Sequence, residues 1–294
     1  MTHQTQIIYS VSQESQEDFS LKYCPNAKGV FKAICECGAV YYIVAGCNKE
    51  ICSYCGLPNS PLHRQTFRRW IGKVKWLFLM RGYIGYTVVT LPLNLRYLDR
   101  QFLNDVAKKI IVILQKYGAK YIRARWHWSG ERSKIYHPHL NIISDVRYVE
   151  NIRETLTREI ERVLGVNNIV LEHHYYCNWG QVIHKIKYIT RPTLLLIENE
   201  DERNRVWELV VKGFRNCYWR GKWQEYDINQ SDIMVAINEA EEEGDWRLYV
   251  RLCLDANLCP NCHRKLQWIW ERCEIFEFLE FFDRFGCYFV KSPP

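Results

Sequence analysis

From residue 61 to residue 80, apolar side chains return every three or four positions. Phe67, Trp70, Ile71, Val74 and Leu77 fall on one face and basic residues on the other, which predicts an amphipathic helix ended by Gly82. The β-branched run from Tyr86 to Leu91, bounded by Pro92, predicts a buried strand. A second helix is expected from about Leu98 to Tyr117, closed by Gly118. Ala119 to Ser129 and Lys134 to Ile143 predict a hairpin turning through Gly130-Glu131-Arg132-Ser133. Val149 to Leu164 predicts a helix, Asn168 to Cys177 a strand, and Gln181 to Thr190 a helix stopped by Pro192. This β-α-β-β-α-β-α order predicts an α+β fold, an antiparallel sheet with flanking helices.

The pattern breaks at both ends. The first twenty residues are polar, and Cys24 to Cys55 is short and dense in cysteine. Ser231 to Leu254 predicts a helix with an acidic stretch at Glu239, Glu241, Glu242 and Glu243. A Cys259-Pro-Asn-Cys262 knuckle and the aromatic-rich Phe276 to Phe282 follow. The expected division is a zinc-binding N-terminal module over 1–60, a central domain over 61–195, and an acidic, mainly helical region with a second knuckle over 196–294.

Composition narrows the class. No run approaches the roughly 18 apolar residues of a membrane helix, and no basic-then-apolar leader opens the chain, so a cytoplasmic location is expected. In that compartment the 13 cysteines are reduced thiols and metal ligands rather than disulfides. Cys35, Cys37, Cys52 and Cys55 are expected to form one tetrahedral zinc site, with Cys24 or Cys47 as substitutes. Cys259 and Cys262 begin a second site whose partners are sought among Cys24, Cys47, Cys253, Cys273 and Cys287. Both sites are structural, since four thiolates leave no open position.

Charge is uneven. Residues 61–150 carry 17 Lys/Arg against 5 Asp/Glu, a balance that suits a polyanion such as nucleic acid. Arg123, Arg125, Arg132 and Lys134 on the hairpin are the candidate contacts, with solvated basic faces as the plain alternative. No Gly-x-x-x-x-Gly-Lys-Ser/Thr loop is present, so ATP-driven strand separation is not expected.

The hairpin also holds Tyr136-His-Pro-His-Leu-Asn141. On a strand, His137 and His139 project to one side while Pro138 points away, a spacing that suits one divalent ion. His127 on the neighbouring strand or Glu131 in the turn could complete three ligands. Histidines packed for structure alone are the competing reading.

These residues resemble the histidine motif of the HUH single-strand endonucleases, which include rolling-circle replication initiators, relaxases and some transposases. Val88-Val-Thr-Leu-Pro92 is similar to the family's first motif, and the likeness covers residues 60–195. The resemblance implies a nucleophilic tyrosine on the following helix, where Tyr188 stands with His184, Lys185 and Arg191 at i−4, i−3 and i+3. It further implies a 5′-phosphotyrosine link to single-stranded DNA, a catalytic Mn²⁺ or Mg²⁺ on the histidines, and DNA phosphates held by Lys185, Lys187 and Arg191. Expected partners are single-stranded DNA or an origin hairpin, with a host helicase and polymerase for a plasmid or virus. His184 stands where some members carry a second tyrosine or a glutamate. Tyr175 and Tyr176 are rival nucleophiles. The alternatives are a transposase or relaxase, a zinc-tied nucleic-acid-binding protein without catalysis, and a phosphodiesterase that uses water.

Overall fold

The computed structural model describes residues 24, 26, 27, 29–44, 46–58, 60–146, 151–224, 226, 238, 241, 242, 249, 250, 253, 254, 256–271, 290 and 291. The fold is α+β, built on two antiparallel sheets.

The larger sheet has five strands: β3 (Ile84–Thr90), β4 (Ile122–His127), β5 (His139–Ser144), β6 (Val170–Tyr176) and β7 (Tyr218–Arg220). Their spatial order is β6-β3-β5-β4-β7, which puts β5 at the centre. One face is covered by α2 (Arg100–Lys116) and α3 (Ile152–Leu164), which bury Leu103, Val106, Ile110, Leu156 and Ile160 against Val89, Trp126, Leu140 and Ile142. The opposite face carries α1 (Pro61–Arg81) and α4 (Trp179–Thr190), where Trp70, Val74, Leu77, Val182, Ile186 and Ile189 pack on Ile84, Tyr86 and Ile143.

Local chemistry sets the helix ends. Ser60 caps α1 by accepting from the His63 amide at 3.2 Å, ahead of a proline at the first position. Gly82 closes that helix at φ 77, a left-handed conformation a side chain would resist, while its amide bonds Phe78 O. Asp99 caps α2 and Asn178 caps α4. Pro192, just beyond α4, has no N–H to continue the ladder.

The second hairpin strand starts later than its hydrophobic pattern predicts. Lys134 sits at φ 53. Tyr136 donates its amide to Glu202 and its hydroxyl to Tyr97 O. Pro138 can donate nothing to a ladder, and its carbonyl accepts from Leu91 N at 3.4 Å. These competing bonds hold 134–138 as a loop, so β5 begins at His139.

The smaller sheet joins both ends of the described chain. β1 (Val30–Ile34) and β2 (Val40–Val44) form a hairpin, flanked by β8 (Gln267–Glu271) and β9 (Val290–Lys291) in the order β8-β1-β2-β9. Ala33, Tyr41, Leu254, Cys259 and Leu266 form its core. The expected 231–254 helix falls largely outside the described residues, as does the aromatic run 276–282. Among the described residues no helix is long and apolar enough to cross a membrane.

His173 on β6 gives a test of the core. Its Nδ1 lies 2.8 Å from Thr87 Oγ1, and burial holds the imidazole at about 4, with His174 adding to the effect. The unfolded chain takes up this proton near the ordinary value of 6.5 and the folded chain only near 4. That stability is whole above 6.5 and is lost as pH falls toward 4, by at most about 3 kcal/mol. Urea midpoints of His173→Gln should therefore fall less steeply than those of the parent over this interval. Parallel curves would disprove the assignment.

Candidate functional site

Side-chain alternation along β5 puts His139, Asn141 and Ile143 on the face beneath α1 and α4. His127 pairs directly with His139 across the ladder, and their rings are 5.2 Å apart. The His137 ring is 6.2 Å from that of His139. On the helix above, the Tyr188 ring lies 5.3 Å from that of His127. The Arg191 guanidinium stands 4.2 Å from the Tyr188 ring centroid, and Lys185 Nζ stands 6.0 Å from it. Three imidazoles, a phenol and two cations thus share one side of the sheet.

Backbone carbonyls fix the tautomers. His127 Nε2 donates to Ile189 O at 2.9 Å, which leaves Nδ1 a buried acceptor without a protein partner. His139 Nδ1 donates to His137 O at 3.0 Å, leaving its Nε2 lone pair available. Burial pushes all three imidazoles down. His137 lies at about 4, with Arg96 and His139 adding to the fall. Around His139, Arg191 lowers and Glu172 raises the value. His127, fully enclosed, is held well below the ordinary range. Neutral imidazoles with directed lone pairs fit a divalent ion. Their ligand atoms nevertheless do not close into a tight group: among the described residues, only two cysteine tetrads bring three or more ligand atoms within 4.8 Å of one another.

Several expected residues stand elsewhere. Glu131 is exposed and bonds Arg191 Nη1, so it is not gathered with the imidazoles. That pairing leaves Arg191 Nε and Nη2 buried without a protein partner. Arg123 is not available to a polyanion. It is 2% exposed, lies 4.1 Å from the Trp70 centroid and 2.9 Å from that of Trp219, and donates to Arg69 O. Arg125 is likewise buried, paired with Glu50 at 2.8 Å. The alternating pattern on β4 suggests a solvated basic face, but α1 and the loop carrying Glu50 cover it. Arg123→Ala should therefore cost about 2–3 kcal/mol in urea unfolding, by removing a desolvated cation from two indoles. Affinity for single-stranded DNA should not change, and a weakened affinity at unchanged stability would contradict this placement.

Arg132 and Lys187 are exposed, and Lys134, also exposed, pairs with Glu198. His184 is exposed on α4. Tyr175 stacks on Tyr83 at 4.5 Å on the other side of the sheet, away from Tyr188. Tyr176 shares the Tyr188 side, with Lys185 Nζ 5.7 Å from its ring.

The cysteines pair differently from expectation. Cys24, Cys47, Cys52 and Cys55 form one tetrad, and Cys35, Cys37, Cys259 and Cys262 the other. The hairpin that brings β1 to β8 carries Cys35 and Cys37 to the distant knuckle instead of to Cys52 and Cys55. Sulfur separations are 3.7 Å for Cys24–Cys52, 3.9 Å for Cys47–Cys55, 3.4 Å for Cys35–Cys262 and 3.6 Å for Cys37–Cys259. Four thiolates about 2.3 Å from one zinc ion stand about 3.8 Å apart in a tetrahedron, so both tetrads fit that ion. Within the first tetrad, the Cys24–Cys55 contact lowers the Cys24 thiol and raises that of Cys55. Cys253 is buried outside both tetrads, while Cys273 and Cys287 lie outside the described residues.

No family model, curated protein or solved structure matches the chain. Residue chemistry therefore carries the functional argument alone. Three participants had no signal in the sequence: Glu50, which accepts from Arg125 and from Trp128 Nε1; His63, whose Nε2 bonds Lys187 O; and Asn141, which accepts from the Tyr86 hydroxyl.

Proposed function

We propose that this protein is a single-strand DNA endonuclease and strand transferase of the HUH type, acting in rolling-circle replication of a plasmid or virus. The observation that carries the reading is the meeting of Tyr188, His127 and His139 on one face of the sheet, at ring separations of 5.3 and 5.2 Å. A nicking tyrosine must lie beside its phosphate-polarising site, whereas a DNA-binding module has no use for that placement.

The chemistry follows from the residues. Tyr188 Oη forms a bond to the scissile phosphorus while the P–O3′ bond breaks. The phenolic proton is balanced by the one that the departing 3′-oxygen gains as it becomes a hydroxyl. A 5′-phosphotyrosine remains, and the free 3′-hydroxyl suits extension by a host polymerase, with a host helicase parting the strands. Arg191, with two unshared guanidinium nitrogens beside the phenol, is placed to steady the phosphate. Lys185 adds positive charge on the same side. His137 and His139, with His127 as third donor, would have to draw closer together than they stand here to hold Mn²⁺ or Mg²⁺; such an ion would supply Lewis-acid polarisation of the phosphoryl oxygen. Of the expected DNA contacts on the hairpin and α4, Arg132, Lys134 and Lys187 stand exposed toward solvent and would meet the backbone of the strand.

The reading is tested by mixing the protein with short single-stranded oligonucleotides and Mn²⁺. A denaturant-resistant protein–DNA adduct of one-to-one mass is expected, with the oligonucleotide attached through its 5′-phosphate to the peptide containing Tyr188. Cleavage without an adduct would favour the water-using phosphodiesterase.

A further inference from the structure

The first cysteine tetrad is wired to both walls of the candidate site. Its Cys47–Cys52 loop projects Glu50, whose carboxylate accepts from Arg125 Nη2 at 2.8 Å and Trp128 Nε1 at 3.2 Å. Those two residues flank His127 in sequence. From the other end of the tetrad, the Cys55 carbonyl accepts from Ser60 Oγ at 2.6 Å. Ser60 Oγ in turn accepts from the His63 amide, and His63 Nε2 donates to the Lys187 carbonyl at 2.9 Å. Lys187 immediately precedes Tyr188. Between these arms Gly56 lies so close that an added Cβ would meet Glu50 O at 2.1 Å and Leu195 Cδ1 at 2.8 Å. Only a residue without a side chain lets the knuckle seat there.

His63 is 6% exposed, so its bond to Lys187 O is made away from water, where losing it leaves buried polar groups unmatched. The path from Cys55 O to Lys187 O has three hydrogen bonds, two at the capping hydroxyl of Ser60 and one at the His63 imidazole.

We infer that the zinc-loaded Cys24/Cys47/Cys52/Cys55 cluster sets the position of the last turn of α4 through Ser60 and His63, making His63 a positioning residue for Tyr188. The kinetic half of this inference rests on the proposed nicking reaction; the positional half does not.

The test compares the zinc-loaded full chain with His63→Ala, His63→Gln and Ser60→Ala. Amide hydrogen exchange over residues 182–191 should quicken by about tenfold in His63→Ala and return toward the parent in His63→Gln, whose amide can still donate. Ser60→Ala, which cuts the path at its other end, should loosen the same peptide and covers the case of a His63→Ala chain that does not fold. In the adduct assay, the rate at saturating DNA should fall by about 10- to 100-fold for His63→Ala, with KM within about twofold, because displacement of an aligned nucleophile costs rate rather than binding. Exchange unchanged in both Ser60→Ala and His63→Ala overturns the inference. A parent chain that forms no adduct defeats the nicking reaction instead, and leaves the exchange arm to decide the coupling by itself.

Discussion

Tyr188→Phe should abolish the covalent adduct, lowering its formation by at least about 10³-fold, because no other group replaces the lost nucleophilic oxygen. The substitution is mild for the fold. A phenyl ring keeps the packing against His127 and the cation contact with Arg191, both of which involve the ring. Affinity for the uncleaved strand should stay within about twofold, so loss of adduct would report chemistry and not unfolding. Tyr176→Phe is the matched comparison, since that phenol shares the same side and the Lys185 cation. Should Tyr176→Phe lose the adduct and Tyr188→Phe keep it, the nucleophile belongs to β6 and the present assignment is wrong. Should Tyr188→Phe still cleave without any adduct, water is the nucleophile.

Cys259→Ala should release one of two zinc ions and unfasten the smaller sheet. The tetrad that contains Cys259 holds β8 against β1 through residues 222 to 227 positions apart. Cys259 is fully buried and also faces the Tyr41 hydroxyl at 3.5 Å, so its removal leaves a hole beside three stranded thiols. Structural zinc sites contribute about 10–16 kcal/mol of apparent binding free energy, and a three-ligand remnant forfeits most of it. Metal analysis should fall from two zinc per chain to one, and limited proteolysis should open the segment around 253–271 first. A parent with one zinc per chain would show that this cluster holds no metal, and two zinc ions retained in the variant with unchanged protease resistance would show that Cys259 is not a ligand.

The central elements were legible because their signals are local. Gly82, Gly118 and Pro192 mark helix ends by chemistry that acts within a few residues. The placement of Tyr188 on the histidine side was an expectation of the HUH resemblance alone, because strand alternation does not say which face of a sheet a later helix covers. Where the sequence reading failed, the deciding interaction was distant. Lys134 to Pro138 has strand-like composition, yet bonds from Glu202 and Tyr97 pull it into a loop. Arg123 and Arg125 look like solvated cations until Trp219 and Glu50 arrive from elsewhere in the chain. Cysteine spacing identifies knuckles but not their mates. Cys52–Cys55 lies nearest to Cys35–Cys37 along the chain, yet Cys35–Cys37 closes on Cys259–Cys262.

That closure has a consequence for how the protein is made. Cys37 leaves the ribosome 222 residues before Cys259, its neighbour in the finished cluster. At about 5–20 residues per second, half a zinc site waits about 10–45 s with its thiols uncovered. During that interval the β1–β2 hairpin lacks β8 at its edge. A nascent chain arrested before residue 262 lacks one or two of the four thiols of the second tetrad, so that cluster can close on a metal ion only after the knuckle has emerged.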